Sequence, residues 1–279
     1  MGILNVTPDS FSEQGRYFDR KAAIAHGLEM EREGADILDL GGESTRPGAL
    51  PVSAEEEMDR VIPVIEALRK RRLRIPISID TYKASVAERA LRAGAEIVND
   101  ISGLRFDPAM PAVIRRHRAA VVLMHLRGTP STMQQLPPVR RIVPAIRRGL
   151  SFSLRRALRA GIRANQIVLD PGIGFGKTVA QNYEILCGLR RFASLGYPIL
   201  LGPSRKSFIR KILAASPSNP PGRKRNPTSP AVLPEDLLFG TAAAVAASIL
   251  QGAHILRVHD VRQMLPVARI ADQLLSPPL

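Results

Sequence analysis

Short apolar runs alternate with longer amphipathic stretches eight times along the chain. The runs are "ILNVT" (3–7), "DILDLGG" (36–42), "PISID" (76–80), "EIVNDI" (96–101), "AVVLMH" (120–125), "IVLDPG" (167–172), "PILLGPS" (198–204) and "HILRVHD" (254–260). Each is too short for a free-standing helix and is rich in Ile, Leu and Val, as strands buried on both faces are. The stretches between them, such as "KAAIAHGLEMEREG" (21–34), "AEEEMDRVIPVIEALRKR" (54–71) and "NYEILCGLRRFASLG" (182–196), place apolar residues at i, i+3, i+4 and i+7. Two of these three end on glycine, a usual helix stop. Eight strand–helix units in 279 residues predict a (β/α)8 barrel of the TIM type, with a doubly wound sheet as the competitor.

The strand ends separate the two. They carry Asn5, Asp39, Asp80, Asn99 with Asp100, His125, Asp170, Ser204 followed by Arg205 and Lys206, and Arg257 with His259. Any one has a plain explanation: Asp39 or Asp170 could cap the next helix, and His125 could be a satisfied core histidine. Eight polar ends together fit a barrel, whose C-terminal strand ends meet at one mouth. The chain reads as one barrel domain over 1–279, interrupted at 215–235, where "ASPSNPPGRKRNPTSPAVLPE" has no helical period and predicts a long loop.

Composition changes this picture in two places. A formal charge of +15 raises the possibility of a nucleic-acid partner, but its arginines cluster at 69–74, 115–118, 140–148 and 155–163, on or beside amphipathic helices. With aromatics at 4% and no Trp to interleave, these clusters read as solvated outer faces, and neither nucleic acid nor membrane is expected as a partner. The one cysteine, Cys187, cannot form an internal disulfide and falls inside a helical pattern, where a core position is expected. No signal peptide or apolar span of about 18 residues is apparent, so a cytoplasmic protein is expected.

The stretch "DPGIGFGKT" (170–178) looks like a phosphate loop with a fault. Counting back from Gly176-Lys177-Thr178, the glycine such a loop requires falls on Pro171. The reading preferred is a tight glycine turn off a strand end, with Asp170 aimed into the mouth, Phe175 as an aromatic wall and Lys177-Thr178 opening the next helix.

The mouth residues have the character of a heterocycle pocket beside an anion pocket. Asp80, Asn99, Asp170 and Lys206 offer acceptors and donors for an amide-rich ring such as a pterin or purine. Arg46, Arg257 and His259 supply cationic donors for carboxylate or pyrophosphate, and Asn5 and Asp9 are hard oxygen ligands of the kind Mg²⁺ accepts. No covalent nucleophile stands out, so the set suits group transfer with a pyrophosphate leaving group.

These residues resemble the dihydropteroate synthase family. The resemblance is carried, in order, by "MGILNVTPDSFS", "DLGGESTRPGA", "SIDT", "VNDISG", "LMH" with "GTPSTMQ", "LDPGIGFGKT", "GPSRKSFI" and "RVHDV", from Gly2 to about Val261. It implies a pterin-binding barrel that joins 4-aminobenzoate to 6-hydroxymethyl-7,8-dihydropterin diphosphate, with Mg²⁺, by an SN1-like route, as a homodimer. Carried over by motif, Asp80, Asn99, Asp170 and Lys206 would hold the pterin, with Phe175 as its wall. Asn5, Arg257 and His259 would hold the diphosphate, Asn5 also touching the metal. Phe11, Thr45, Arg46, Pro47 and Ser207 would frame the aminobenzoate. Asp9, Glu13, Asp39 and Met124 are further candidates without a fixed role.

Three departures from the family pattern stand out. The first loop reads "SFSEQG" where the family usually has SFSDGG, placing Glu13 and Gln14 there. The chain starts directly on its first strand, and the 215–235 segment is longer than usual. Because sulfonamides mimic aminobenzoate, the altered loop and the long segment raise insensitivity to them as an expectation, whereas Phe11 and Pro47 are the family's ordinary residues. The rivals are a methyltetrahydrofolate:corrinoid methyltransferase, which has no use for an aminobenzoate loop, a non-catalytic homologue, and a basic nucleic-acid-binding protein.

Overall fold

A computed structural model describes residues 1–7, 20–44, 49–215 and 232–276. In chain order the elements are β1 (Gly2–Asn5), α1 (Arg20–Arg32), β2 (Leu38–Gly41), α2 (Ala54–Lys70), β3 (Ile77–Asp80), α3 (Ala84–Arg92), β4 (Ile97–Asp100), α4 (Met110–His117) and β5 (Ala120–Met124). There follow α5 (Ile142–Arg159), β6 (Ile167–Asp170), α6 (Val179–Cys187), β7 (Leu200–Leu201), α7 (Ser207–Ala215), α8 (Pro234–Leu250), β8 (Ile255–Leu256) and α9 (Val261–Leu275).

All strand pairs are parallel. β1 to β6 run side by side in sequence order and β7 pairs with β8. Single bridges join these two sheets at both seams, Leu169 to Ile199 and Gly2 to Val258. The second seam is tied by Ile3 N–H to Val258 O at 2.9 Å and Val258 N–H to Met1 O at 3.0 Å. The eight strands therefore follow one another around a ring, as the alternation predicted. β7 and β8 are shorter than the runs 198–204 and 254–260 suggested. Pro198 and Pro203 bracket β7 without donors of their own, and bonding at the seams is carried by isolated bridges.

Parity explains the layers. Leu4, Leu38, Leu40, Ile77, Ile79, Val98, Leu123 and Leu169 alternate outward from the strands and are buried under the helices. Removing each from water contributes about 1.5–3 kcal/mol. The residues between them point inward. A small apolar cluster of Met1, Val122 and Leu200, packed by Ile37, Ile97, Val168 and Ile255, fills part of the interior. Of the remaining inward positions, Asn5, Asp39, Ser78, Asp80, Asn99 and Asp170 are polar.

Helix α2 begins on a side-chain cap. Ser53 accepts the Glu56 N–H at 3.1 Å, and Glu55, Glu56 and Glu57 in the first turn of α2 complement its dipole. The expected loop 215–235 overshoots at both ends. Ala215 closes α7, and Pro234 opens α8 with Glu235 and Asp236 in its first turn, a favourable helix start; residues 216–231 lie outside the described ones. Cys187 is not core: it is the last residue of α6 and is exposed. Most of the clustered arginines, including Arg71, Arg72, Arg115, Arg116, Arg147, Arg148 and Arg155, are exposed on the outer shell. Arg69 is an exception, half-buried and donating to Gly94 O, Leu73 O and Ile75 O. Among the described residues no helix is long and apolar enough to cross a membrane.

Candidate active site

The inward row at the strand ends is built by register. Asn5 lies opposite Gly41, Gly41 opposite Asp80, and Asp80 opposite Asn99. One layer below, Asp39 faces Ser78. Gly41 leaves a gap between its neighbours: a Cβ there would stand 3.6 Å from Asp80 Cβ and 3.8 Å from Asn5 Oδ1. Asn5 and Asp80 thus look onto a common space.

Arg257, just past β8, reaches across the ring. Its Nε donates to Asp39 Oδ2 at 2.6 Å and its Nη2 to Asp80 Oδ2 at 2.8 Å, while Asn99 Nδ2 donates to the same Asp39 oxygen at 3.1 Å. Asp39 is fully buried. It caps no helix; it is the inner anchor of the guanidinium. Neither Asp39 Oδ1 nor Asp80 Oδ1 has a partner among the described residues, so acceptor capacity is left over inside the barrel.

Burial dominates the electrostatics. It pushes Asp80 up to about 7, although Arg257 pulls the other way. Burial also works against the Arg257 charge, but Asp39 and Asp80 together hold its pKa above the usual value. Lys206 is lowered to about 8 by burial and by Arg257, against the pull of Asp170 and Asp80. Burial likewise raises Asp170, although the Gly172 N–H bonded to it favours the carboxylate.

The turn after β6 answers the phosphate-loop question. Gly172, Gly174 and Gly176 sit at φ +69°, +84° and +65°, a region costly for residues with a Cβ. Asp170 Oδ1 accepts the Gly172 N–H at 2.7 Å. Lys177 does not open the helix and does not face the mouth. It is buried, and its Nζ donates to His125 O at 2.7 Å and Gly172 O at 2.6 Å. Thr178 is the helix cap, accepting the Gln181 N–H at 3.2 Å while Gln181 Oε1 accepts from Thr178 N–H at 3.0 Å. A Cβ on Gly172 would lie 2.1 Å from His125 O. Gly172→Ala is therefore expected to cost at least about 3 kcal/mol in urea unfolding, with loss of ligand binding.

The turn puts Phe175 against the site. Lys206 Nζ lies 4.0 Å from the Phe175 ring centroid. Phe175 also packs on a small cluster containing Met124, Ile101, Leu126 and Met133, so Met124 belongs to the apolar wall of the mouth.

Two polar strand ends behave differently from expectation. His125 does not turn into the mouth: a Cβ on Gly149 of α5 would meet its Cδ2 at 2.5 Å, so the ring packs against that helix. Burial, with Lys177 and Arg105 nearby, lowers its pKa to about 2. His259 sits beside Ser204, whose hydroxyl accepts the His259 main-chain N–H at 3.2 Å and lies 3.0 Å from Nδ1. Burial and the neighbouring Arg257 and Arg205 lower it to about 3, so near neutrality it is a neutral imidazole and not the cationic donor expected.

Ser207 is exposed at the start of α7, on a cavity of about 330 Å³ shared with Arg127, Met133, Lys177 and Lys211. Asp9, Phe11, Glu13, Thr45, Arg46 and Pro47 lie outside the described residues. The root of the second loop is described, and sequence reasoning missed its anchor. Lys83 Nζ bonds Glu43 and, at 2.5 Å, Glu57 Oε2, while Tyr82 OH donates to Glu43 Oε1 at 2.6 Å. The signal was an acidic residue in the first turn of α2 at an inward-facing helical position, Glu57, which a solvated face would not bury.

Comparison with known proteins assigns this architecture. The family described as Pterin binding enzyme matches residues 1–259. The chain belongs to that family. The dihydropteroate synthase of Synechocystis sp. is 47% identical over 274 residues, 98% of this chain and 89% of that protein. Two solved structures of pterin binding enzymes resemble it closely. A dihydropteroate synthase from Clostridium difficile, in the presence of pteroic acid, gives a TM-score of 0.86 at 46% identity, covering 98% of this chain and 95% of that one. One from Xanthomonas albilineans with 4-aminobenzoic acid also gives 0.86, at 40% identity and 100% and 93% coverage.

The resemblance implies Mg²⁺ with Asn5 as the residue touching it. Among the described residues no group of three or more His, Cys, Asp or Glu side chains could hold a metal ion. Asn5 Oδ1, facing the Gly41 gap with Asp80 across it, is one hard oxygen donor of the right chemistry. This suits an ion held chiefly by a phosphate ligand and water.

Proposed function

We infer that the chain is a transferase of folate biosynthesis that joins 6-hydroxymethyl-7,8-dihydropterin diphosphate to 4-aminobenzoate, releasing dihydropteroate and pyrophosphate. The observation that carries this is the convergence of Asp80, Asn99, Asp170, Lys206 and Phe175 in one mouth around Arg257, in a chain of this family. The relatives' ligands, pteroic acid and 4-aminobenzoic acid, are the product-like acid and the second substrate of that reaction.

In this reading Asp80 and Asp170 accept N–H bonds from the pterin, Asn99 both donates and accepts, and the Lys206 ammonium donates to the ring carbonyl. Phe175 and Met124 wall the ring. The C–O bond between the pterin methylene and the diphosphate breaks with its electron pair leaving on the diphosphate. Arg257 and a neutral His259 N–H stabilise that charge. The amine lone pair of aminobenzoate then forms the C–N bond to the methylene carbon and the nitrogen passes a proton to the departed pyrophosphate or to water, with Ser207 and residues 45–47 proposed to frame its ring. A magnesium ion held by Asn5 and the diphosphate would add charge stabilisation to the departing group.

A homodimer through the outer helices belongs to the same reading. Tyr183 of α6, Ile212 of α7 and Phe239 of α8 are exposed apolar residues on helices that pack side by side. A cytoplasmic location fits a single unpaired cysteine. The test is pyrophosphate release from the pterin diphosphate with and without 4-aminobenzoate. Release that depends on aminobenzoate and yields dihydropteroate is the expected result; aminobenzoate-independent release or none, with folded protein and Mg²⁺, would overturn it. A sulfamethoxazole series in that assay reads sensitivity directly, and inhibition at ordinary concentrations would remove the expectation of insensitivity.

A further inference from the structure

The turn between β6 and α6 is held from every side. The Gly172 N–H goes to Asp170, and Gly176 O accepts from Arg127 Nη1 at 3.0 Å. The Gly174 N–H goes to Asn182 Oδ1 at 2.7 Å, and Asn182 Nδ2 donates to Thr178 O at 2.9 Å. Gly172 O accepts from Lys177, which ties it to His125 O at the end of β5. Lys177 and Asn182 are both buried. An ammonium group buried between two neutral carbonyls is costly to desolvate. Burial indeed drives the Lys177 pKa well below its ordinary value.

That cost has a counterpart on the other face of the turn. A Cβ on Gly174 would stand 2.9 Å from Lys206 Cδ, so the turn backbone lies directly against the lysine stem. Phe175 closes over its Nζ. Where the turn sits therefore sets where Lys206 and Phe175 sit. With two of the three Lys177 N–H donors directed at main-chain carbonyls, the residue that mimics a phosphate-loop lysine has a different task.

We propose that Lys177 and Asn182 are positioning residues for the pterin side of the site, fixing the 171–176 turn so that Phe175 and Lys206 present one rigid face to the ring. This rests on the pterin reading above, and predicts a defect confined to the pterin. In Lys177→Met and Asn182→Leu, kcat/KM for the pterin diphosphate should fall about 10- to 100-fold, the scale of a misplacement near 1 Å, while KM for aminobenzoate stays within about twofold.

A second readout follows the environment of Lys206, which faces Arg257 beyond β8, Asp170 at β6 and Asp80 at β3. A looser turn admits water, so the alkaline limb of kcat/KM moves upward. Lys177→Met also removes a nearby charge, so Asn182→Leu, which changes none, is the cleaner case. Should Lys177→Met fail to fold, Asn182→Leu decides alone, with Asn182→Ser as its smaller form. Binding of 6-hydroxymethylpterin is followed by calorimetry in parallel. Variants that melt like the wild type, bind that pterin within twofold and keep its alkaline limb would overturn the proposal. A wild-type protein that binds no pterin would instead overturn the function reading.

Discussion

Replacing Arg257 by Met is expected to cripple turnover and loosen the barrel together. The guanidinium bridges Asp39 and Asp80, both inside the ring, at 2.6 and 2.8 Å. Removing one partner of a buried ion pair leaves its charges uncompensated, at a cost of about 3–5 kcal/mol. Loss of the principal cationic donor for the leaving diphosphate should lower kcat/KM by about 10³-fold. The two effects separate in the double variant Arg257→Met/Asp39→Asn. Neutralising Asp39 removes one stranded charge, so urea unfolding should recover part of the lost stability while pyrophosphate release stays as low as in the single variant. The stability deficit of the single variant should also shrink as pH falls and Asp80, already raised by burial, protonates. A single variant as stable as wild type at neutral pH would mean that the pair contributes nothing to the fold.

Lys206→Met carries the second large effect, and its signature is in the pH profile. The reading requires Asp80 as carboxylate and Lys206 as ammonium. Burial places the first near 7 and the second near 8. Wild-type kcat/KM should therefore rise through about pH 7 and fall beyond about pH 8, a narrow bell reporting the free enzyme. Lys206→Met should lose about 10²-fold in kcat/KM and lose the alkaline limb, keeping the acid one.

Stability moves the other way. A lysine whose folded pKa is depressed contributes stability above its unfolded value, which is lost as pH falls through the folded value. Removing it should leave the melting temperature at or above wild type at about pH 6, where the buried ammonium is charged. An alkaline limb that survives in Lys206→Met would assign that ionisation to another group. For Asp80 the raised pKa works in the opposite sense. Its contribution to stability is present at acid pH, below the unfolded value, and lost as pH rises through about 7.

Much of the candidate site was legible because a buried strand has few uses for a polar residue at its end. Asp80, Asn99, Asp170, Lys206 and Arg257 stand at or just after the ends of apolar runs, and the barrel brings them to one mouth. His125 had the same signature and went elsewhere. It lies one residue past β5, where parity turns its side chain toward α5, and Gly149 leaves room for the ring. Asp39 was legible only by parity. In Leu38-Asp39-Leu40-Gly41 the leucines face the helices, which leaves Asp39 and Gly41 inside.

Other assignments could not be made along the chain. That Lys177 is a brace depends on carbonyls of residues 125 and 172, brought together only when β5 and β6 pair. That His259 is neutral depends on burial and on the nearby Arg257 and Arg205. By itself the sequence determined the number and order of the strands and their alternation with helices, through periodicity, and the candidate chemistry at the mouth, through the residue types at strand ends. The tertiary structure decided which of those polar groups share a charge, which face the ring and which brace the backbone. Distance and desolvation set those roles, and neither exists until the ring is formed.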